Sequence, residues 1–563
     1  MGRSLELHNI LHQYVMRYII AICILLPSLC LFGQSDFTSS NLPIVIINTN
    51  GKTIPDEPKI SANMKIIYNG QGLRNSVNDT QYNYNGYIGI ELRGISSLSF
   101  DQKQYTIETR DSSGDNFNVP ILDMPAENDW VLHAPYNDIS LIRNVLAYHL
   151  WSGMGHWAPR TRMVELVLNG EYQGVYVLTE TIKRDENRIK IANLKSTDTT
   201  GLEITGGYIM KIDASNSDDD ITFQSKVSGL GTGFNKSVIW LYHYPDPKEI
   251  HTKQQEYIHN YIDTIELLIQ SDEFDDPICG YAKYLSLQSF IDYFIHTELS
   301  LNSDGYKRSA YFYKEKMNTN GTKGKFKAGS VWDYNLAFGN CNFCKGNKVN
   351  AWVYEGCETL PVPAIWKRLI EDPNFINAVK CRYLELRDDI LSDSYLHPFI
   401  DDYAVMLDEA QARHFQRWDD LLTDDDSSPG GFWDNKLWFS AYRVSSYAEE
   451  IEILKGWLSA RLNFLDNNLG GTCLSTVLNN GDVNFYDLIV FPNPASELVV
   501  VESSKPLNAI EIYNITGYKI AEKCLNNADR IVLSEFAHYP EGLYLMLFLA
   551  SDGTRITRTI VKQ

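Results

Sequence analysis

The hydrophobic period of the chain changes twice, and this limits the possible folds more than any other feature. Up to about residue 240, apolar and polar residues alternate, as in IGIELRG (88–94), QYTIETR (104–110), MVELVLNG (163–170) and YQGVYVLTE (172–180). A period of two sends successive side chains to opposite faces of a strand. Asn169-Gly170 falls between two such runs and suits a two-residue hairpin turn. One helical segment interrupts the strands. It is SLIRNVLAYHLWSGMG (140–155), with Leu141, Val145, Leu146, Leu150 and Met154 on one face. From 250 to 470 the spacing becomes helical, over 256–270, 285–300, 375–391, 403–418 and 445–469. From Leu488 alternation returns, in FPNPASELVVVES, AIEIYNITGYKI, GLYLMLFLA and RITRTIVK. These patterns predict an α+β protein: a strand-rich part and a helical part with a cleft between them, then a small all-β sandwich. Its 563 residues exceed what one core organises. The expected divisions are 35–470, a linker over 471–485 after Gly470-Gly471, and 486–563.

The chain begins with an expected export signal over residues 1–34. Arg3 and Arg17 precede the apolar run Tyr18 to Phe32, which is short for a membrane span, and cleavage is expected near Gln34. No later window has eighteen uninterrupted apolar residues, so no transmembrane segment is expected in the mature chain. The net charge of −21 argues against a nucleic-acid partner, which would need a basic footprint.

Seven cysteines follow the signal, and an odd count leaves at least one thiol free. Cys341, Cys344 and Cys357 offer three ligands for a zinc ion but lack a fourth at the usual spacing; a disulfide or plain thiols are the alternative. The acidic runs Asp218 to Asp220 and Asp424 to Asp426 lack the spacing of a calcium loop and read as solvated loops, as does Ser427 to Gly431. HExxH, G-x-S-x-G, the phosphate-binding GxxxxGK[ST] and the ordinary protein-kinase motifs are all absent.

Two acids in the second half carry the candidate chemistry. In SVWDYNLAFG (330–339), Asp333 and Asn335 lie two apart and would point the same way on an extended segment, offering oxygens to a hard cation. Upstream, Asp304 lies in the polar loop LNSDGYK, with Ser309 five residues on and Gly305 expected to supply turn freedom. In protein kinases a catalytic Asp and a metal-binding Asn have this separation, ahead of a metal-binding Asp. A turn acid capping backbone amides is the competing reading for Asp304.

The order of motifs over residues 43–470 resembles the CotH kinase family. ELRGISS (91–97), Lys103-Gln104-Tyr105, NDWVLHAPYNDISLIRNVLAYHL (128–150), VELVLNGEYQGVYVLTETIKR (164–184), TGGYIMKID (205–213), NSDGYKRSAYFYK and VWDYNLAFG carry the resemblance. It implies an atypical kinase-like fold with a strand-rich and a helical lobe. It also implies ATP and Mg2+ (or Mn2+) as cofactors and phosphate transfer to protein hydroxyls. The resemblance implies Asp304 as the catalytic acid–base residue and Asp333, assisted by Asn335, as the metal ligand. Arg93 and Lys103 would face the nucleotide phosphates, and Glu180 would orient a basic group or a metal. Asn335 stands where many members have a second Asp, Ser309 where kinases have Asn, and Gln102 replaces one Lys of a frequent pair. Two other functions stay open: transfer of another group, such as a nucleotidyl group, and a non-catalytic scaffold. The tail, with FPNPASE (491–497), IYNITGYKI (512–520), EGLYLMLF (541–548) and RTIVKQ (558–563), resembles the type IX secretion sorting domain. That implies the type IX machinery as a partner and a secreted or outer-surface location.

Overall fold

The computed structural model describes residues 37–563 except 215–219, 277–279, 319–323, 423–441, 474–487, 515–516 and 552. The expected export signal, Asp218, Asp219, Asp424 to Asp426 and the Ser427–Gly431 loop lie outside the described residues.

Seven strands of the first part close into a barrel: β1 Ile44–Asn48, β2 Ile60–Ile67, β3 Tyr84–Arg93, β4 Gln104–Arg110, β5 Asp129–His133, β6 Thr161–Leu168 and β7 Glu171–Glu180. The order is β6-β7-β5-β4-β3-β2-β1, and parallel pairing of β1 with β6 seals it. Alternation alone does not distinguish an open sheet from a closed one, so the closure was not legible in the sequence. Inward residues such as Val45, Ile88, Ile107, Trp130 and Leu166 are fully buried and fill the lumen. The barrel is therefore a packed core and not a ligand cavity. At the β6–β7 turn, Asn169 and Gly170 both have positive φ and Leu168 pairs with Glu171, as a two-residue hairpin requires.

The rest of the larger part is a five-stranded antiparallel sheet with helices packed on it. Strands β8 Tyr208–Ile212, β9 Thr222–Gln224, β10 Ile239–Tyr244, β11 Ala310–Lys314 and β12 Phe326–Ala328 run in the order β9-β10-β8-β11-β12. The helices are α1 Arg143–Gly153, α2 Thr252–Gln270, α3 Leu287–Ser300, α4 Ile365–Glu371, α5 Pro373–Arg387, α6 Asp393–Arg417 and α7 Tyr447–Asn468. Two depart from the sequence pattern. The seven-residue α4 is too short to show a period. Helix α6 starts ten residues before the expected Tyr403, because Pro398 inside it reads as a breaker.

Helix α6 fixes the barrel against this helical part. Its Arg413 pairs with Glu165 of β6 at 2.7 Å, and His414 Nδ1 accepts the Val175 N–H of β7 at 3.1 Å. Gly174 permits the approach: its φ is +94°, and a Cβ there would meet His414 Nδ1 at 2.8 Å.

The tail is all-β, its strands hydrogen-bonded into one antiparallel network around a shared buried core that includes Val499, Ile510, Met546 and Phe548. Its strands are β13 Leu488–Phe491, β14 Val499–Asn514, β15 Lys519–Leu533, β16 Gly542–Ala550 and β17 Arg555–Lys562. The sixteen-residue β14 breaks register between Glu502 and Leu507, around Pro506, and so joins both halves of the sheet. Cys344 bonds Cys357 and Cys381 bonds Cys473, while Cys341 is a buried free thiol. The disulfide takes two of the three sulfurs that the zinc reading needed. Among the described residues no helix is long and apolar enough to cross a membrane.

Candidate functional site

A cleft of about 930 Å³ separates the outer wall of the barrel, formed by β3, β4, β5 and β7, from the sheet and the Asp333 segment. Arg93, at the end of β3, lines its barrel side; Asp304, Ser309, Asp333 and Asn335 line the opposite side. Lys211, Asp213 and Arg308 also reach into it.

Asp304 sits in the turn after α3, which ends with Leu301 in the left-handed region at φ 44°. The Asp304 N–H donates to Asn302 Oδ1 at 3.1 Å, and its carbonyl accepts the Arg308 N–H at 2.9 Å. Gly305 is needed for space and not for a positive φ. A Cβ there would meet Thr297 Cγ2 at 2.5 Å and the Asn302 carbonyl at 2.8 Å.

The Asp333 segment is held by D-x-S-x-x-R-N, residues 138–144, at the start of α1. Asn144 Oδ1 accepts the Tyr334 N–H at 2.6 Å, and Asn335 Nδ2 donates to Asn137 Oδ1 at 2.9 Å. The fully buried Arg143 donates to the Ala337 carbonyl at 3.1 Å while pairing with Asp138 at 2.5 Å and Glu450 at 2.6 Å. Asn302 Nδ2 reaches the Asp333 carbonyl at 3.3 Å, which ties the two acidic turns together. Asp333 has φ 67° and Ser309 φ 46°, both in the left-handed region that costs a non-glycine residue of order 1 kcal/mol. Such cost persists where surrounding contacts over-determine the backbone, as they do here.

A second chain of hydrogen bonds runs from the barrel. His133 Nδ1 donates to Gln104 Oε1 at 3.0 Å, which leaves Nε2 to accept from Asn144 Nδ2 at 3.1 Å. Burial pushes the His133 imidazole down to about 4, so it is neutral in this chain.

The acids repel one another. Asp333 is open to solvent on the cleft side but crowded by protein atoms behind. This partial desolvation, with the negative charges of Asp304 and Asp213, raises its carboxyl to about 6. Desolvation also raises Asp304, against the pull of Arg308 and Lys307. Arg93 lies over the Trp332 ring at 5.1 Å, and Lys211 is 3.7 Å from Asp213.

Two of the proposed site residues point elsewhere. Lys103 donates to the carbonyls of Leu98 and Phe100, at 2.7 and 2.5 Å, and does not line the cleft. Glu180 is buried beside Arg160 at 2.7 Å, with Arg188 at 3.7 Å, and likewise lies off the cleft. It does orient a basic group, but one outside the cleft. Gln102 is buried and donates to the Val175 carbonyl at 2.9 Å, inside the barrel–helix contact.

A sequence profile described as CotH kinase protein matches residues 90–465, more than half of the chain. This chain belongs to the CotH family. A second profile, described as a secretion system C-terminal sorting domain, matches residues 489–563. No curated protein matches the chain. The tail marks this CotH protein for secretion to the cell surface by the type IX system.

Within the CotH match, sequence reasoning passed over Lys211, Asp213, Arg308 and His133. The first two were within reach: both lie in the quoted segment TGGYIMKID, two apart at the end of β8, and so share one face. His133 carried no signal, since its role depends on partners from β4 and α1.

Proposed function

We propose that this secreted CotH protein transfers the terminal phosphate of ATP to hydroxyl groups of extracellular or cell-surface proteins. The observation that carries the proposal is the meeting of Arg93, Lys211 and Arg308 with Asp304, Asp333 and Asn335 around one cleft. In this reading the barrel and the helical part act as the two lobes of a kinase-like fold.

The donor set fits Mg2+ or Mn2+ bound together with a nucleotide. Asp333 and Asn335 supply hard oxygens, and the repulsion that raises Asp333 is what a cation relieves. Among the described residues, the one trio of His, Cys, Asp or Glu side chains close enough to share an ion is Cys344, Cys357 and Glu358, and the two cysteines are joined. The acids of the cleft therefore form no cage. Mg2+ needs none, since it is commonly held by one or two carboxylates plus substrate phosphates and water. When bound, the ion neutralises charge on the phosphates. Arg93, held over Trp332, and Arg308 bind and orient the phosphate oxygens. Asp304 accepts the proton of the attacking hydroxyl. Asn144 and Arg143 keep the Asp333 segment in place throughout.

The test incubates purified protein with isotope-labelled ATP, Mg2+ or Mn2+ and candidate surface proteins, then reads the adduct by mass. A phosphate adduct that disappears in Asp304→Asn is the expected result. A nucleotidyl adduct would replace this reading with transfer of that group. The absence of both adduct and calorimetric nucleotide binding would leave a scaffold.

A further inference from the structure

A buried lysine beside the cleft lacks a carboxylate in hydrogen-bonding contact. Lys307 is 4% exposed, and its ammonium lies 2.9 Å from Cys357 Sγ, 3.4 Å from Cys344 Sγ and 3.1 Å from Thr359 Oγ1. A disulfide sulfur is a weak, neutral acceptor, and a buried charge with such partners is poorly compensated. Burial accordingly lowers the ammonium's proton affinity, which Asp304 only partly restores. Cleavage of the disulfide would change this, because a thiolate at either position would give the ammonium a counter-ion in direct contact. The Thr359 hydroxyl, 3.2 Å from Cys344 Sγ and 3.3 Å from Cys357 Sγ, can donate to the same sulfur.

We propose that Cys344–Cys357 is an exchange-active disulfide, with Lys307 as the built-in counter-ion of its leaving thiolate. Its reaction partner is an external dithiol. The geometry sets the order of events. Cys344 is half-buried and Cys357 buried, so the incoming thiolate attacks Cys344 Sγ. A new S–S bond forms there, the Cys344–Cys357 bond breaks, and its electron pair leaves on Cys357 Sγ beside Lys307. The second thiol of the dithiol then attacks its own sulfur in the mixed disulfide and releases Cys344. Overall, two electrons and two protons pass from the dithiol to the two cysteines, and the dithiol becomes a cyclic disulfide. A stabilised leaving thiolate speeds the first step and favours the reduced form. Buried Cys341, whose thiol burial pushes up to about 11, takes no part.

The bond crosses the cleft wall, since Asn342 and Phe343 line the cleft on one side of it and Glu358 to Leu360 on the other. Lys307 belongs to the turn of Asp304, its backbone N–H donating to the Asp304 carbonyl at 3.2 Å. Reduction would therefore release a wall of the site, whatever reaction that site performs.

The test equilibrates the intact protein with graded ratios of reduced and oxidised dithiothreitol. Differential alkylation and peptide mass spectrometry then follow Cys344–Cys357, with Cys381–Cys473 as internal reference. Lys307→Met is expected to shift the equilibrium at least tenfold against reduction of Cys344–Cys357, which is about 30 mV for a two-electron couple. Lys307→Arg is expected to stay near wild type, and the reference bond should not move. Equal equilibrium constants for wild type and Lys307→Met overturn the proposal. A second measurement covers a Lys307→Met variant that does not fold: the pH dependence of alkylation of the reduced wild-type protein. A Cys357 thiol titrating below about 7.5 supports the counter-ion role, and one at or above the free value of about 8.5 overturns it.

Discussion

Replacing Arg143 with Met removes the group that binds the Asp333 segment to the body of the protein. The side chain is fully buried and holds Asp138 at 2.5 Å, Glu450 at 2.6 Å, the Tyr442 hydroxyl at 2.7 Å and the Ala337 carbonyl at 3.1 Å. Met fills most of the volume, so the cavity cost is small, but two buried carboxylates lose their cation. Breaking a buried ion pair from one side costs about 3–5 kcal/mol, and the orphaned carbonyl adds about 1 kcal/mol. A total of about 5 kcal/mol is a large fraction of the usual 5–15 kcal/mol of a folded domain. Urea unfolding followed by tryptophan fluorescence measures the loss. The double variant Arg143→Met/Glu450→Met separates charge from packing. By removing one stranded carboxylate it should recover about 1 kcal/mol or more. Nucleotide binding adds a further readout, since residues 334–340 lose their clamp and affinity should fall even where the single variant folds. A loss under about 1 kcal/mol in Arg143→Met, or a double variant no better than the single, would show that the cluster is not energetically coupled as its geometry indicates.

Three further outcomes are expected. Asp333→Ala should abolish metal-dependent nucleotide binding in calorimetry, whereas Asn335→Asp should keep or strengthen it; unchanged affinity in Asp333→Ala would remove Asp333 from the ion site. Asp304→Asn should slow transfer by about 10²-fold or more with little change in stability or ATP binding, and the reverse pattern would make it a turn acid. His414→Gln tests a pH effect. Burial lowers the His414 imidazole to about 3, so between pH 6.5 and 3 the unfolded chain takes up a proton that the folded one refuses, and wild-type stability falls as pH falls. From pH 7.5 to 5 this group alone costs about 2 kcal/mol. Denaturation at both pH values should show the variant losing that much less than wild type, and equal losses would refute the assignment.

The sequence makes element types far easier to read than the closures between them. Helix α3 and the β6–β7 hairpin are visible because their signals are local: a 3.6 period in one, Asn169-Gly170 in the other. Barrel closure is not, because it depends on β1 meeting β6 across more than a hundred residues. The same distinction divides the candidate site. Asp304 lies in a short polar loop after an apolar helix, and Asp333 and Asn335 interrupt an apolar run, which marks them locally. Whether Lys103 and Arg93 face the cleft depends on tertiary partners. Arg93 finds Trp332, from the far side of the cleft. Lys103, ten residues on, finds the carbonyls of its own connection.

The D-x-S-x-x-R-N segment shows how such a site is preserved without conspicuous chemistry. Of its side chains Asn144 alone lines the cleft. Asp138 and Ser140 brace Arg143, Arg143 takes the Ala337 carbonyl, and Asn144 takes the Tyr334 amide. Each satisfies a backbone group that would otherwise be left unpaired where Asp333 departs from regular structure, with φ 67°. A segment with that backbone, carrying a carboxyl raised to about 6 by partial desolvation and two neighbouring acids, is unfavourable in isolation. The surrounding hydrogen bonds make it stable, and this explains why the helix start at 138–144 and the acid at 333 must be read as one unit. If so, Asn144→Leu should weaken metal-dependent nucleotide binding although Asn144 supplies no ligand. Asn144→Asp keeps the acceptor for the Tyr334 amide and should retain most of the binding. Equal losses in the two variants would place the effect on bulk packing instead of on that hydrogen bond.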